Sequence, residues 1–203
     1  TVNASLETGT ADTVDGDATS GLVSVTSSNG SVAMSAATVM TGDATVTGNG
    51  TATSGAITLT AERNVDSDAL STGVASAAEG DATSGAIDVV ATSGNVTLTT
   101  VTSGDATVAG NGTATSGAIT LTASGANGTL TLDDALTGVA SVGATGSATS
   151  GAITLLADGD VTVNASLETG TADTVDGDAT SGLVSVTSSN GSVAMSAATV
   201  MTG

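Results

Sequence analysis

The chain contains no cysteine, histidine, proline, lysine, phenylalanine, tryptophan or tyrosine, and its one basic residue, Arg63, stands against 20 acidic ones. Each absence removes a class of function. A formal charge of −19 with a single cation offers no clustered Lys and Arg for phosphates, which excludes a nucleic-acid or anionic-membrane surface. Without His or Cys the usual general base, the thiol nucleophile and the common zinc ligands are missing, so no enzyme is expected. No disulfide framework is possible, and the redox compartment stays unread. No apolar run approaches the roughly 20 residues that span a bilayer, and no secretory leader is recognisable. The chain does not begin with Met, and the expectation is a mature product or a window cut from a longer array. The charge alone would suit disorder, but 39% hydrophobic residues and a mean hydropathy of +0.34 describe a chain that folds.

What is present is repetition. Residues 1–42 recur without a change at 162–203, an offset of 161. A smaller unit is marked by Ala-Thr-Ser-Gly, beginning at Ala18, Ala52, Ala82, Ala114, Ala148 and Ala179, at intervals of 34, 30, 32, 34 and 31 residues. Five such units, 16–49, 50–79, 80–111, 112–145 and 146–176, make one large repeat, and 177–203 is a partial sixth. Residues 1–203 are therefore expected to form a single array.

Within each unit apolar residues recur at every second position, which predicts strands. The first run carries Val23 and Val25, Ile57 and Leu59, Ile87 and Val89, Ile119 and Leu121, Ile153 and Leu155. A second run carries Val32 and Met34, Val96 and Leu98, Leu130 and Leu132, Val161 and Val163. Gly42, Gly73, Gly104, Gly138 and Gly170 open a third, with Ala44 and Val46 or Ala140 and Val142 at alternate places. The prediction is three short strands and three turns per unit.

Two all-β arrangements compete, a row of small sandwiches and a parallel β-solenoid with one coil per 30–34 residues. A sandwich core usually seats large aromatics, and its period is not near 32 residues. A narrow solenoid is filled by columns of small and branched side chains, needs Gly where coils approach closely, and tolerates no Pro in its ladders. Charge placement points the same way. The residue before Ala-Thr-Ser-Gly reads Asp17, Thr51, Asp81, Thr113, Ser147, Asp178, and the residue after the third turn reads Asp43, Val74, Asp105, Val139, Thr171. Acids never fall in adjacent units of either column. Stacked carboxylates about 4.8 Å apart would repel by roughly 0.9 kcal/mol even in water.

Gly-Ala-Ile-Thr-Leu-Thr-Ala (55–61 and 117–123), Gly-Asn-Val-Thr-Leu-Thr (94–99) and Gly-Asp-Val-Thr-Val-Asn-Ala (159–165) resemble the repeats of filamentous-haemagglutinin-type adhesins. They are similar also to the giant β-strand-repeat surface proteins of bacteria. The resemblance covers the whole chain. It implies a right-handed β-helix, export, and a role as stalk, fibre or adhesin. The shortage of Lys and the unchanged 161-residue repeat depart from typical adhesins and favour a shaft over an adhesive tip.

Candidate sites are few. Asp12, Asp15 and Asp17, duplicated as Asp173, Asp176 and Asp178, are calcium candidates, because a turn of carboxylates and carbonyls can supply the six to eight oxygens calcium takes. They read equally as solvated acids that hold fibres apart. Their spacing matches neither an EF-hand nor the calcium-binding nonapeptide. No other cofactor is expected. Eight of nine Asn residues (Asn3, Asn29, Asn49, Asn95, Asn111, Asn127, Asn164, Asn190) are followed two places on by Ser or Thr. These are glycosylation candidates, or turns in which Asn-Gly precedes a strand. Thr58 with Thr60 and Thr120 with Thr122 suggest an ice-binding array, which Asp88, Val90 and Leu156 interrupt. Arg63 is expected in a surface ion pair, Ser67 at a local bulge, and Met34, Met40, Met195 and Met201 as core filler.

The expected protein is a structural segment of a long extracellular or cell-surface fibre, sheath or adhesin stalk. A calcium- or ice-binding solenoid is the alternative. The expected partners are copies of itself, by covalent continuation or end-to-end stacking and with lateral bundling open, and neither nucleic acid nor a membrane.

Overall fold

The computed structural model describes residues 1–196 and 198–203, with the side chains of all but Ser35 and Ala36. It is a parallel β-solenoid of about six turns with three faces per coil, and the sandwich arrangement is excluded. Strands of successive coils pair in parallel, one coil apart. On the first face, Val23–Ser27, Ile57–Ala61, Ile87–Ala91, Ile119–Ala123, Ile153–Ala157 and Val184–Ser188 stack in order. Their register sets Ile57, Ile87, Ile119 and Ile153 in one column and Leu59, Val89, Leu121 and Leu155 in the next. Alternation sends these side chains inward, fully buried, and turns Thr58 and Thr60 outward.

The second face is built from Val32–Met40, Val65–Ser71, Val96–Thr102, Leu130–Leu136 and Val161–Glu168. It adds a buried column the period-two reading did not reach, Val39, Leu70, Val101, Ala135 and Leu167. The bulge expected at Ser67 lies elsewhere. Val65–Ser71 pairs with Val96–Thr102 without a shift, and the register breaks instead in the longer neighbour, between Met34 and Thr38. The surplus residues belong to the longer coil, so the longer coil distorts. Of the four methionines only Met34 is core. Met40 is exposed because Val39 takes the inward place beside it, and Met195 and Met201 are exposed in the last described coil, above which no described residue lies.

The third face differs from the single run expected. In most coils it comes in two pieces, such as Ala75–Glu79 and Ala82–Thr83, separated at Gly80, whose φ of 103° suits glycine. In one coil the pieces merge as Ala140–Thr149. The interior is correspondingly divided. Val, Ile, Leu and Met from the first two faces form one buried cluster, and Ala and Val of the third face form a second. The cross-section has a large lobe and a small one.

Candidate functional site

The neck between the lobes is a polar seam. Every coil places a hydroxyl residue immediately before Gly at both ends of the third face, for example Thr41-Gly42 with Ser54-Gly55, and Thr72-Gly73 with Ser84-Gly85. From Ser20 to Thr169 the hydroxyls are buried, between 1 and 5% exposed, and all but Ser150 donate to a glycine carbonyl across the neck. Thr41 Oγ1 donates to Gly55 (2.7 Å), Ser54 Oγ to Gly73 (2.6 Å), Thr72 Oγ1 to Gly85 (2.8 Å), Ser103 Oγ to Gly117 (2.6 Å) and Thr137 Oγ1 to Gly151 (2.9 Å). Each also accepts an N–H from the glycine one coil along, as Gly73 N–H donates to Thr41 (3.0 Å) and Gly85 N–H to Ser54 (2.8 Å). The bonds form a zigzag through the length of the solenoid, with donor and acceptor capacity both used.

The seam explains its glycines. A Cβ at Gly85 would fall inside the van der Waals shell of the Gly55 carbonyl oxygen, and the same holds for Gly117 against Gly85. Close approach of backbone to backbone, rather than positive φ, requires glycine there. The sequence carried this signal in the Ser or Thr that precedes every such Gly, but a hydroxyl on a strand reads first as an outward residue.

The acids form a second, external device. Ala18, Ala52, Ala82, Ala114, Ala148 and Ala179 stack in register, so the preceding residues stack too. Asp17 Oδ1 accepts the Thr51 N–H (3.0 Å), and Asp81 Oδ1 the Thr113 N–H (2.9 Å). In the other column Asp43 accepts from Val74 and Asp105 from Val139, both at 2.8 Å. Each carboxylate thus holds a backbone donor of the next coil, and alternation leaves a neutral residue above every acid. Asp160 Oδ1 accepts both the N–H and the hydroxyl of Ser192 (2.7 and 2.9 Å). The backbone N–H first, then the hydroxyl, hold its pKa below the ordinary aspartate range.

The calcium candidates belong largely to this device. Asp12 faces outward on the third face, Asp15 Oδ1 accepts the Asn49 N–H (3.1 Å), and Asp17 is engaged as described. Asp173, Asp176 and Asp178 repeat the positions on the last coil and are exposed. Among the described residues no three acidic side chains gather into a metal-holding group.

All eight Asn candidates are exposed. Four spend their amides between coils: Asn95 Oδ1 accepts the Thr129 N–H, Asn111 Oδ1 the Thr145 N–H, and Asn164 and Asn190 donate to Asp133 and Asp158. Asn127 has a φ of 61°, the left-handed conformation Asn tolerates in turns. Asn3, Asn29 and Asn49 stand at the surface without such a side-chain bond among the described residues. The outward Thr58, Asp88, Thr120 and Thr154 share one column, and Thr60, Val90, Thr122 and Leu156 share another. Arg63 is exposed and unpaired with any carboxylate among the described residues, contrary to the ion pair expected.

Shallow grooves mark the surface, one of them over Thr53, Ala56, Thr83 and Ala86. No helix among the described residues is long and apolar enough to cross a membrane. Comparison with protein-family models, with curated proteins and with solved structures found no match.

Proposed function

We propose that the chain is a structural segment of a long repetitive extracellular fibre, sheath or adhesin stalk, of the filamentous-haemagglutinin-like or giant β-strand-repeat kind, wound right-handed. The observation that carries this reading is the zigzag of buried hydroxyls, which recurs from coil to coil along the solenoid. Backbone ladders, aliphatic columns and the polar seam all lie along one axis, so a load along that axis is shared by many bonds in parallel. The exposed acids keep neighbouring shafts soluble. A chain with one Arg and no Lys offers trypsin-like proteases almost no cleavage site, which suits life outside a cell. Its partners are copies of its own sequence, joined covalently or stacked end to end.

Immunogold electron microscopy of intact producing cells, with antibody raised against residues 1–203, tests the reading. Gold strung along filaments or a sheath outside the cell is the expected result. Gold confined to the cytoplasm would overturn it.

A further inference from the structure

The 20 acids are unevenly placed around the shaft. The strands of the second face carry Asp66, Asp68, Asp133, Asp134 and Glu168, and further acids line the third face and the corners. On the six strands of the first face there is one, Asp88. Three columns of outward residues cross this face, at the places of Ala56, Thr58 and Thr60, and the column of Thr53 runs beside them. Apart from Asp88 these columns hold only Thr, Ser, Ala, Val and Leu. A chain of charge −19 thus has one pleated side that is nearly free of charge.

We propose that this face is the lateral interface between shafts and that its occupant is a second copy of the chain, packed first face against first face. The inference deepens the fibre reading and rests on it for the side-by-side alignment of shafts. Charge selects the occupant. A second copy is an acid-rich body with one cation, so either of the other faces would meet it with carboxylates against carboxylates. The first face offers contact without that repulsion. A basic partner would be drawn to the acidic faces and away from this one. Pitch selects it again. Both copies repeat their outward side chains at the strand spacing, about 4.8 Å, so the ridges of one stay in step with the furrows of the other. Area allows it: six strands of five residues cover about 17 Å by 29 Å, or roughly 1,000 Å² over two copies, where specific interfaces begin.

The residues that interrupt the Thr array fit the same occupant. Val90 and Leu156, the latter 41% exposed, break the regular hydroxyl lattice and supply apolar area that a protein contact removes from water. Asp88 stands between Thr58 and Thr120 in its column. A register offset by one coil therefore sets each Asp88 against a hydroxyl of the other copy rather than against its carboxylate. Desolvation of that carboxylate still opposes the contact, which makes Asp88 the residue whose neutralisation strengthens pairing.

Small-angle X-ray scattering of the full chain at rising concentration tests this, in salt of about 0.15 M, where charges are screened beyond roughly 8 Å. Side-by-side pairing thickens the cross-section of the particle, whereas end-to-end growth lengthens it without thickening. Two variants add the same charge to different faces. Thr60→Glu, Thr122→Glu places two acids on the first face, each with neutral neighbours in its column. Thr102→Glu, Thr131→Glu does the same on the second face. The expected result is a cross-section that grows with concentration for the native chain and the second-face variant and stays at the single-shaft value for the first-face variant. Asp88→Asn is expected to thicken at a lower concentration than the native chain. A cross-section that stays constant in both the native chain and Asp88→Asn, or that grows equally in the two Glu variants, would overturn the lateral interface. Either failure leaves the fibre reading to the immunogold result, since a shaft can stand singly.

Discussion

A hydroxyl inside an aliphatic stack is tolerated when both of its hydrogen-bonding roles are filled, and this chain contains one filled and one unfilled case. Ser84 donates to the Gly104 carbonyl and accepts the Gly117 N–H. Ser84→Ala orphans two buried backbone groups, each at a cost of about 1–3 kcal/mol. The expected loss is about 2–4 kcal/mol in chemical denaturation, with Ser84→Thr retaining most of the stability, as Thr41 and Thr72 fill the same two roles on the facing side of the neck. Ser67 is the opposite. It lies 3% exposed between Met34 and Leu98 in a core column, and its Oγ has no partner among the described residues. Ser67→Ala is expected to raise stability by about 1 kcal/mol, read as a shift of the denaturation midpoint. A fall would contradict the assignment of that hydroxyl as unsatisfied.

On the scale of the strand and turn, carboxylates act as acceptors for the neighbouring coil, and at Asp160 this ties protonation to the fold. Asp160 has a lowered pKa in the folded state. Its contribution to stability is therefore present above the ordinary aspartate range and is lost as pH falls through the lowered value. Ser192→Ala removes the hydroxyl bond and leaves the N–H bond, so the Asp160 titration midpoint followed by carboxyl NMR should rise part of the way toward about 3.9. An unchanged midpoint would contradict the cause given. The strands themselves were legible because Ile57, Leu59, Ile87 and Val89 alternate with polar residues, and the stacking was legible because acids skip every other coil. The seam was not. Ser and Thr are common on exposed pleated faces, and period-two reading treats an inward Ser54 or Thr72 as a break rather than as the inner row of a polar ladder. The division of the third face at Gly80 was hidden for a related reason, since a glycine between two short runs marks a turn without saying which way the chain leaves it. The candidate sites were legible as residue types only. Asp17 and Asn95 carry the chemistry of ligands and sequons, but what they touch, the backbone of the next coil, depends on register.

The whole molecule is an axial stack in which each coil is held by the next through three kinds of bond at different radii. Backbone ladders lie on the faces, hydroxyl–glycine bonds in the neck, and carboxylate–amide bonds at the rim. Contacts of this type reach only the neighbouring coil, so the structure lengthens without a new design for each coil, and the 161-residue repeat can recur with identical contacts. The central claim is that strands run across the long axis and coils rise along it by the strand spacing. X-ray diffraction from aligned, assembled protein measures this directly. The account predicts a strong meridional reflection near 4.8 Å, parallel to the solenoid axis. The same reflection on the equator would place the strands along the axis and contradict a shaft built by stacking coils.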